Sequence, residues 1–190
     1  MPYTTKHKQQ TREKILQSAA KLFSHQGFDN ISIDDLMKDA GLTRGAFYNH
    51  FSDKSHLYAE AIVYAAKKSP LIASLRQPED KNNLSNLLKG YLSHEHIEHT
   101  TTPCPLAFLS SDVSHRDPIV RNTYTKMYKN MLKLLTRLNT SNPSINREKL
   151  MAVTAMMIGG VAIAHALDDK NTSDELLSAC RTIGTSLLEK

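Results

Sequence analysis

The feature that most constrains the fold is the stretch from residue 31 to residue 57, whose pattern is helix, tight turn and helix. Ser32, with a carboxylate three residues later, is the sequence signature of a capped helix start, and apolar side chains follow at helical spacing. Gly41 predicts the end of this helix, because glycine tolerates the left-handed backbone that follows a helix. Thr43 is expected to cap a short second helix over residues 44–50. Two helices joined by a short turn with glycine predict a helix-turn-helix, whose second helix enters the DNA major groove.

The side chains of this second helix favour contact with DNA over packing alone. They offer hydroxyl, guanidinium, phenol, amide and imidazole groups, which suit phosphate oxygens and base edges. Gly45 is small and would let the helix backbone approach the groove closely. We expect Arg44 to contact a base edge, and Tyr48 and Lys54 to contact phosphates. The predicted DNA-binding residues are Ser32, Thr43, Arg44, Gly45, Tyr48, Asn49, His50 and Lys54.

Residues 11–62 resemble the DNA-binding domain of the tetracycline-repressor (TetR/AcrR) family. The matching positions are Ile15, Ala19, Leu22, Phe23, Gly27, Phe28, Ser32, Ile33, Leu36, Ala40, Gly41, Gly45, Tyr48, His50, Phe51, Lys54 and Leu57. So many matches at fixed spacing are more specific than a generic helix-turn-helix pattern, and they cover about the first third of the chain. The resemblance implies an entirely helical, homodimeric and ligand-responsive transcription regulator, usually a repressor.

Apolar residues at helical spacing dominate the whole chain, and no alternating strand pattern stands out. The predicted fold class is therefore all-α, with about nine helices. We predict a three-helix helix-turn-helix domain over residues 1–53 and a helical ligand-binding and dimerisation domain over residues 54–190. The first helix is predicted from Thr11 to Gln26. Residues 1–10 are expected to be either a disordered terminus or a basic arm on DNA.

The composition limits the class of protein. The formal net charge of the 190 residues is +5, which permits nucleic-acid binding without proving it. No run approaches the ~18 apolar residues of a membrane helix, and the N-terminus is polar, so we expect a cytosolic protein with no membrane partner. Cys104 and Cys180 are far apart and are not expected to form a disulfide in a reducing compartment.

One helix is predicted over residues 84–99, and its end is rich in histidine and glutamate. His94 with Glu98, and Glu95 with His99, have the spacing that can chelate a divalent metal. An exposed histidine-rich helix end is the alternative, which we favour because no further ligands are visible nearby. We therefore predict no bound metal and no cofactor, and keep a metal-sensing regulator as an alternative.

Cys104 lies between two prolines, and Pro105 fits the first turn of a helix. At the positive end of that helix the pKa of the Cys104 thiol is expected to be lowered. Some members of the family that this sequence resembles, which sense electrophiles or quinones, carry a cysteine at a comparable place. The alternative, which we favour, is a small buried thiol. The predicted ligand-binding residues suit a small amphipathic organic molecule. They are Cys104, Phe108, Asp112, Tyr124, Met127, Tyr128, Met131, Met157 and His165.

Two strongly apolar helices are predicted over residues 147–168 and 173–188. They carry more apolar surface than one chain of this size needs, and the resemblance implies that they pair with their copy in a dimer. The alternative is the core of a monomer. Gly159 and Gly160 are expected to allow close helix contact across the two-fold axis.

An enzyme is the main alternative class, but the sequence holds no glycine-rich phosphate loop, no nucleophile elbow and no metal signature with catalytic spacing. A DNA-structuring protein would need more positive charge and no large apolar domain. We therefore predict a non-enzymatic transcription regulator. Its expected partners are a near-palindromic double-stranded DNA operator, a second copy bound through residues 147–188, and a small organic or electrophilic effector.

Overall fold

The computed structural model describes residues 5–69, 71, 84–98, 103–139 and 145–189. Within these ranges the regular structure is entirely α-helical, which confirms the predicted fold class. The helices of the described ranges are α1 (Thr5–Gln26), α2 (Ile33–Asp39), α3 (Arg44–Tyr48), α4 (Lys54–Lys68), α5 (Leu84–Tyr91), α6 (His94–Glu98), α7 (Pro105–Phe108), α8 (Ser110–Val113), α9 (Pro118–Leu138), α10 (Arg147–Ala166) and α11 (Lys170–Glu189).

The eleven helices of the described ranges exceed the expected nine because two predicted segments are each split in two. The helix predicted over residues 84–99 breaks after Tyr91. There the Ser93 hydroxyl donates to the Gly90 carbonyl at 2.8 Å and accepts from the His96 amide at 3.2 Å, so it caps α6. The segment after Cys104 breaks at Leu109, whose φ of −111° and ψ of 4° are not helical.

The helix-turn-helix forms as the sequence predicts. The Ser32 amide donates to the Asp35 carboxylate at 2.9 Å, and the Asp35 amide donates to the Ser32 hydroxyl at 3.1 Å, which makes the capping box that starts α2. Gly41 follows α2 with a φ of +67°, in the left-handed region expected for a residue that ends a helix.

Two predicted helix starts are wrong. α1 starts at Thr5 rather than Thr11, because the lysines and glutamines of residues 5–10 are good helix formers with no breaker among them. α11 starts earlier than Ser173, since the Asp169 carboxylate accepts the Thr172 amide at 2.9 Å and so caps it. Asp117 precedes α9 without capping it through its side chain, because its carboxylate accepts the Ser55 hydroxyl on α4 instead.

Buried apolar side chains form two clusters, and α9 contributes to both. The first joins α1 to α4, and it also takes in Leu109, Val113 and Val120 from the second half of the chain. The second is built from α5, α7 and α9–α11. Because α4 packs on α1 on one side and on α9 on the other, any movement of α4 reaches both clusters. The domain boundary between residues 53 and 54 stays a prediction.

Helix α10 is the most apolar helix of the described ranges. By length and composition alone it could cross a membrane, whereas no membrane helix is predicted from the sequence. A core helix passes the same test, and α10 buries Leu150, Val153, Met157 and Val161 in the second cluster. Packing against α11 and α9 accounts for these buried positions.

The two adjacent glycines of α10 have different surroundings. A Cβ added to Gly160 would lie 3.1 Å from both the Cys180 sulfur and a Leu92 methyl group of the same chain. A Cβ added to Gly159 would meet nothing within 4 Å in the described structure. The expectation that Gly160 lies at a dimer seam is therefore wrong, because this glycine permits close helix packing inside one subunit.

We predict that Gly160→Leu lowers the free energy of unfolding by about 1–3 kcal/mol, because the added side chain overpacks the contact with α11. Gly159→Ala is the matched control one residue away. It should leave stability unchanged or raise it by up to about 1 kcal/mol, since alanine is the better helix former. Urea unfolding of both variants measures the difference. A Gly160→Leu protein as stable as the parent would contradict the packing role.

Candidate functional site

One face of α3 is anchored in the first cluster, and the opposite face is open. Phe47 is fully buried and its ring centroid lies 5.8 Å from that of Phe51, whereas Tyr48 is 56% exposed. A Cβ added to Gly45 would meet nothing within 4 Å, so the helix surface there is flat and accessible. The residues of the predicted set that are exposed around this face are Ser32, Thr43, Arg44, Gly45, Tyr48 and Asn49.

Arg44 is held at the start of α3 by a residue of α2. Its Nη1 donates to the Asp34 carboxylate at 2.6 Å, and both side chains are more than half exposed. The Tyr48 hydroxyl and the Asp34 carboxylate raise the pKa of Arg44, so the guanidinium stays charged. The ion pair holds an exposed guanidinium beside the N-terminus of α3, and a base contact by Arg44 stays a prediction.

Thr43 and His50 differ from their predicted settings. Thr43 takes the N-cap position of α3, but its side chain makes no capping hydrogen bond. His50 is half-buried, and its Nδ1 is buried with no hydrogen-bond partner among the described residues. Burial, followed by the charges of Lys8 and Arg12 on α1, lowers the pKa of His50. A neutral imidazole beside α1 is a weaker candidate for a phosphate contact than the exposed groups of α3.

Lys54 is engaged within the protein. Its ammonium donates to the Phe28 carbonyl and lies 4.1 Å from the centroid of the Phe28 ring. Burial lowers the pKa of Lys54. These contacts fasten the chain that leaves α1 to the start of α4, and a phosphate contact by Lys54 stays a prediction.

A polar junction connects the exit of α1 with α4 and α8. The Arg116 guanidinium donates to both carboxylate oxygens of Asp29, with one distance of 2.6 Å, and to Asp112 at 3.0 Å. The Tyr58 hydroxyl donates to the other oxygen of Asp112 at 2.6 Å. The hydrogen bond from Arg116 lowers the pKa of Asp29, while burial and Asp112 raise the pKa of Tyr58. Asp112, predicted to bind ligand, is instead part of this junction.

A cavity of about 620 Å³ lies between α4, α9 and the segment around Cys104. Its volume lies in the range of small-molecule sites in proteins. Of the predicted ligand-binding residues, Cys104, Met127 and Met131 line it. The described residues that line it are Val63, Ala65, Ala66, Lys67, Ser69, Leu71, Tyr91, His96, Cys104, Pro105, Leu106, Thr123, Lys126, Met127, Asn130, Met131 and Leu134.

Other predicted ligand-binding residues lie elsewhere. Met157 is 1% exposed within the second cluster, and the Phe108 and His165 rings pack on each other with centroids 4.4 Å apart. The Tyr124 hydroxyl donates to the Leu106 carbonyl at 2.6 Å, and Tyr124 is not among the residues that line the cavity. Tyr128 packs against the second cluster. Asp112 belongs to the junction described above.

The contribution of α4 to the cavity was missed from the sequence. Val63, Ala66 and Lys67 lie at i, i+3 and i+4 and so share one helix face. The other apolar positions of α4 are buried against α1, and that stronger stripe hid the second face. The sequence of α4 has apolar residues on two faces, and this pattern could have indicated that α4 packs against other helices on both sides.

The half-buried Cys104 places its thiol against buried Tyr91 at the inner wall of the cavity. Its sulfur lies 3.0 Å from the Tyr91 hydroxyl, and the His96 ring packs on Tyr91 with centroids 4.5 Å apart. Burial raises the pKa of Cys104, against the opposing effect of the Tyr91 hydrogen bond. The expected lowering of this pKa is wrong, because α7 has only four residues and its dipole does not offset desolvation.

The histidine-rich segment shows no metal site in the described ranges. No group of three or more His, Cys, Asp or Glu side chains converges there, and His99 lies outside these ranges. His94 instead contacts Asp174 at the start of α11. Glu95 and Glu98 lie in α6, the short helix that follows Ser93.

Comparison with known proteins identifies the family. Residues 15–61 match the sequence profile of the bacterial regulatory proteins of the tetR family. The transcriptional regulator AcrR of Shigella flexneri is 49% identical over 57 residues, which are 30% of this chain and 26% of AcrR. The transcriptional repressor AcnR of Corynebacterium diphtheriae is 31% identical over 84 residues, 44% of this chain and 40% of AcnR. The chain belongs to the TetR family.

The TetR-family likeness extends beyond the DNA-binding domain at the level of fold. The crystal structure of a TetR regulator from Chloroflexus aurantiacus superposes with a TM-score of 0.77 at 22% identity, and covers 95% of this chain and 97% of that one. The matches to AcrR and AcnR span about a quarter and two fifths of those proteins. For the second half of this TetR-family chain, the comparisons therefore show a similar fold and no more.

For this TetR-family chain we predict that Cys104 reacts slowly with iodoacetamide at neutral pH, because a raised pKa leaves little thiolate. The rate should rise with pH and reach half its maximum above the pKa of an ordinary thiol. Mass spectrometry of the alkylated protein measures the rate, with Cys104→Ser separating the contribution of Cys180. A midpoint below the ordinary thiol pKa would contradict the effect of burial.

Proposed function

We propose that this TetR-family regulator is a homodimeric repressor that occupies a near-palindromic DNA operator and leaves it when an effector fills the cavity. The observation that carries the proposal is the α2–α3 unit, in which buried Phe47 anchors a helix whose opposite face exposes Arg44 and Tyr48. The name of AcnR as a repressor supports the direction of control. The protein acts on chromosomal DNA in the cytosol and catalyses no reaction.

On this proposal α3 lies in the major groove. Arg44 exchanges Asp34 for a guanine edge, with Thr43 and Asn49 contacting bases or phosphates beside it. Tyr48 contacts a phosphate, as does Ser32 at the exposed start of α2. Flat, open Gly45 lets the helix axis approach the bases.

The proposed dimer forms through α10 and α11, within residues 147–188. Both helices expose apolar side chains that nothing in the described chain covers, with Ile163 and Ile183 each 53% exposed, Met151 40% and Leu167 36%. Apolar groups exposed on neighbouring helices mark an association surface. Two copies also solve a recognition problem, because one α3 contacts too few base pairs to be specific.

The cavity and the DNA-binding face are connected through α4. Its residues Val63 and Ala66 line the cavity, while Leu57 and Tyr58 pack against α1. An effector that favours a different position of α4 therefore changes the distance between the two α3 helices of a dimer. The junction of Arg116 with Asp29 makes a second route from the cavity side of the molecule to the exit of α1.

We predict that Arg44→Ala costs about 1–3 kcal/mol of discrimination between the operator and random duplex, since a base-reading pair is lost. Tyr48→Phe should weaken binding to both duplexes by the same factor, because a phosphate contact carries no sequence information. The operator is first selected from a randomised duplex library, and affinities are then measured by fluorescence anisotropy.

Lys133→Ala, on the exposed side of α9, is the control for loss of one positive charge and should leave both affinities unchanged. The assignment of α3 fails if Arg44→Ala lowers both affinities equally. The proposed function itself fails if the library yields no enriched sequence.

We predict that Ile163→Asp combined with Ile183→Asp converts the dimer to monomer. In a symmetric interface each substitution occurs in both subunits, so the cost of burying its carboxylate applies twice. Operator binding should then fall steeply, since each half-site contact is weak alone. Sedimentation velocity measures the mass, and Asn122→Asp on exposed α9 is the control for one added carboxylate. A double variant that stays dimeric would place the interface elsewhere.

A further inference from the structure

The charged side chains that line the cavity in the described ranges are both cations. Lys67 lies on α4 and Lys126 on α9, and no aspartate or glutamate is among the described lining residues. Neither lysine forms an ion pair within the described part of the chain. The cavity therefore carries a positive potential at the two walls that these helices provide.

Neighbouring cations of the same region have carboxylate partners. Lys68, the next residue on α4, pairs with Glu13 at 3.3 Å, and Arg12 pairs with Glu60. Among the described residues, acids thus pair with the cations that join α1 and α4, and none pairs with Lys67. The charge of Lys67 is therefore available to an anion at the cavity.

The remaining wall of the cavity is mainly apolar. Met127, Met131 and Leu134 on α9, together with Leu106 and Val63, offer a surface for an apolar ring or chain. Such a lining with a few convergent polar groups is typical of sites for small organic molecules.

The two ends of the cavity differ in charge. Lys67 and Lys126 are exposed and so lie at its rim, whereas Tyr91 is 1% exposed and lies at the inner wall. The Tyr91 hydroxyl and the Cys104 thiol contact each other there, and burial raises the pKa of both groups, so both are neutral at physiological pH. A bound molecule with one charged end would place that end at the rim and its apolar body inside.

We propose that the cavity selects an amphipathic organic anion, whose carboxylate or sulfonate group lies between Lys67 and Lys126 and whose apolar body packs on the methionines of α9. The proposal rests on the function proposed above, in which this cavity is the effector site. It adds the chemical class of the effector and the two residues that distinguish that class from neutral molecules of the same shape.

Two fluorescent probes test the charge preference directly, because they share one skeleton. 8-Anilino-1-naphthalenesulfonate carries a sulfonate, and N-phenyl-1-naphthylamine is its uncharged counterpart. The full-length protein should bind the sulfonate more tightly. Combined Lys67→Met and Lys126→Met should lower sulfonate affinity by about tenfold, since each screened ion pair contributes roughly two- to fivefold. The affinity for the neutral probe should stay unchanged, because methionine keeps the apolar stem of each side chain.

Two further variants locate the effect. Lys129→Met removes a cation from the same helix outside the cavity lining and should change neither affinity. Ala66→Phe fills part of the cavity and should weaken both probes. The charge preference should also fall between 50 and 500 mM salt, on the order of severalfold, because exposed ion pairs are screened.

Three results would overturn the proposal: equal affinity for both probes in the parent protein, equal loss of both in the double-lysine variant, or unchanged affinities in Ala66→Phe. Operator release, measured with the same probes, separates this proposal from the proposed function. If the sulfonate binds with the expected preference but does not release the operator, the anion site is supported and the effector role of the cavity is contradicted. If only the neutral probe releases the operator, the proposed function is supported and the preference for an anion is contradicted.

Discussion

The structure depends on the packing around one aromatic ring, that of Phe28. The Lys54 ammonium lies 4.1 Å from the ring centroid and the Arg116 guanidinium 4.7 Å from it. Two cations near one ring repel each other, and carboxylates compensate, since Arg116 binds both Asp29 and Asp112. Because these residues come from the exit of α1, the start of α4 and the turn after α8, the ring fixes the relative positions of three segments far apart in sequence.

This arrangement gives α4 its central role. Its start is fastened to Phe28 by Lys54, its middle packs Tyr58 against the rings of Phe23 and Phe28, and its second half lines the cavity. A close-packed interior transmits displacement instead of absorbing it. The geometry thus connects the cavity wall to the first cluster, in which Phe47 anchors α3, through one continuous helix.

Desolvation decides the chemistry of the inner cavity wall. The four-residue helix α7 follows Cys104, yet burial beside Tyr91 raises the pKa of the thiol. The same balance acts on Lys54, whose pKa is lowered by burial despite the nearby Asp29 and Asp112. Lys67 and Lys126 are exposed instead, so their charges stay available at the rim. Burial therefore outweighs local helix position for the Cys104 thiol and acts against the charged form of Lys54.

The sequence by itself determined the helical class, the capping box at Ser32, the turn at Gly41 and the face of α3 that carries Arg44, because each depends on residues within a few positions of one another. Tertiary structure decided which face of α9 lines the cavity, why Lys54 turns to Phe28, and why Gly160 packs on Cys180 inside one subunit. Those outcomes depend on burial and on partners up to tens of residues away, which periodicity and local hydrogen bonding leave undetermined.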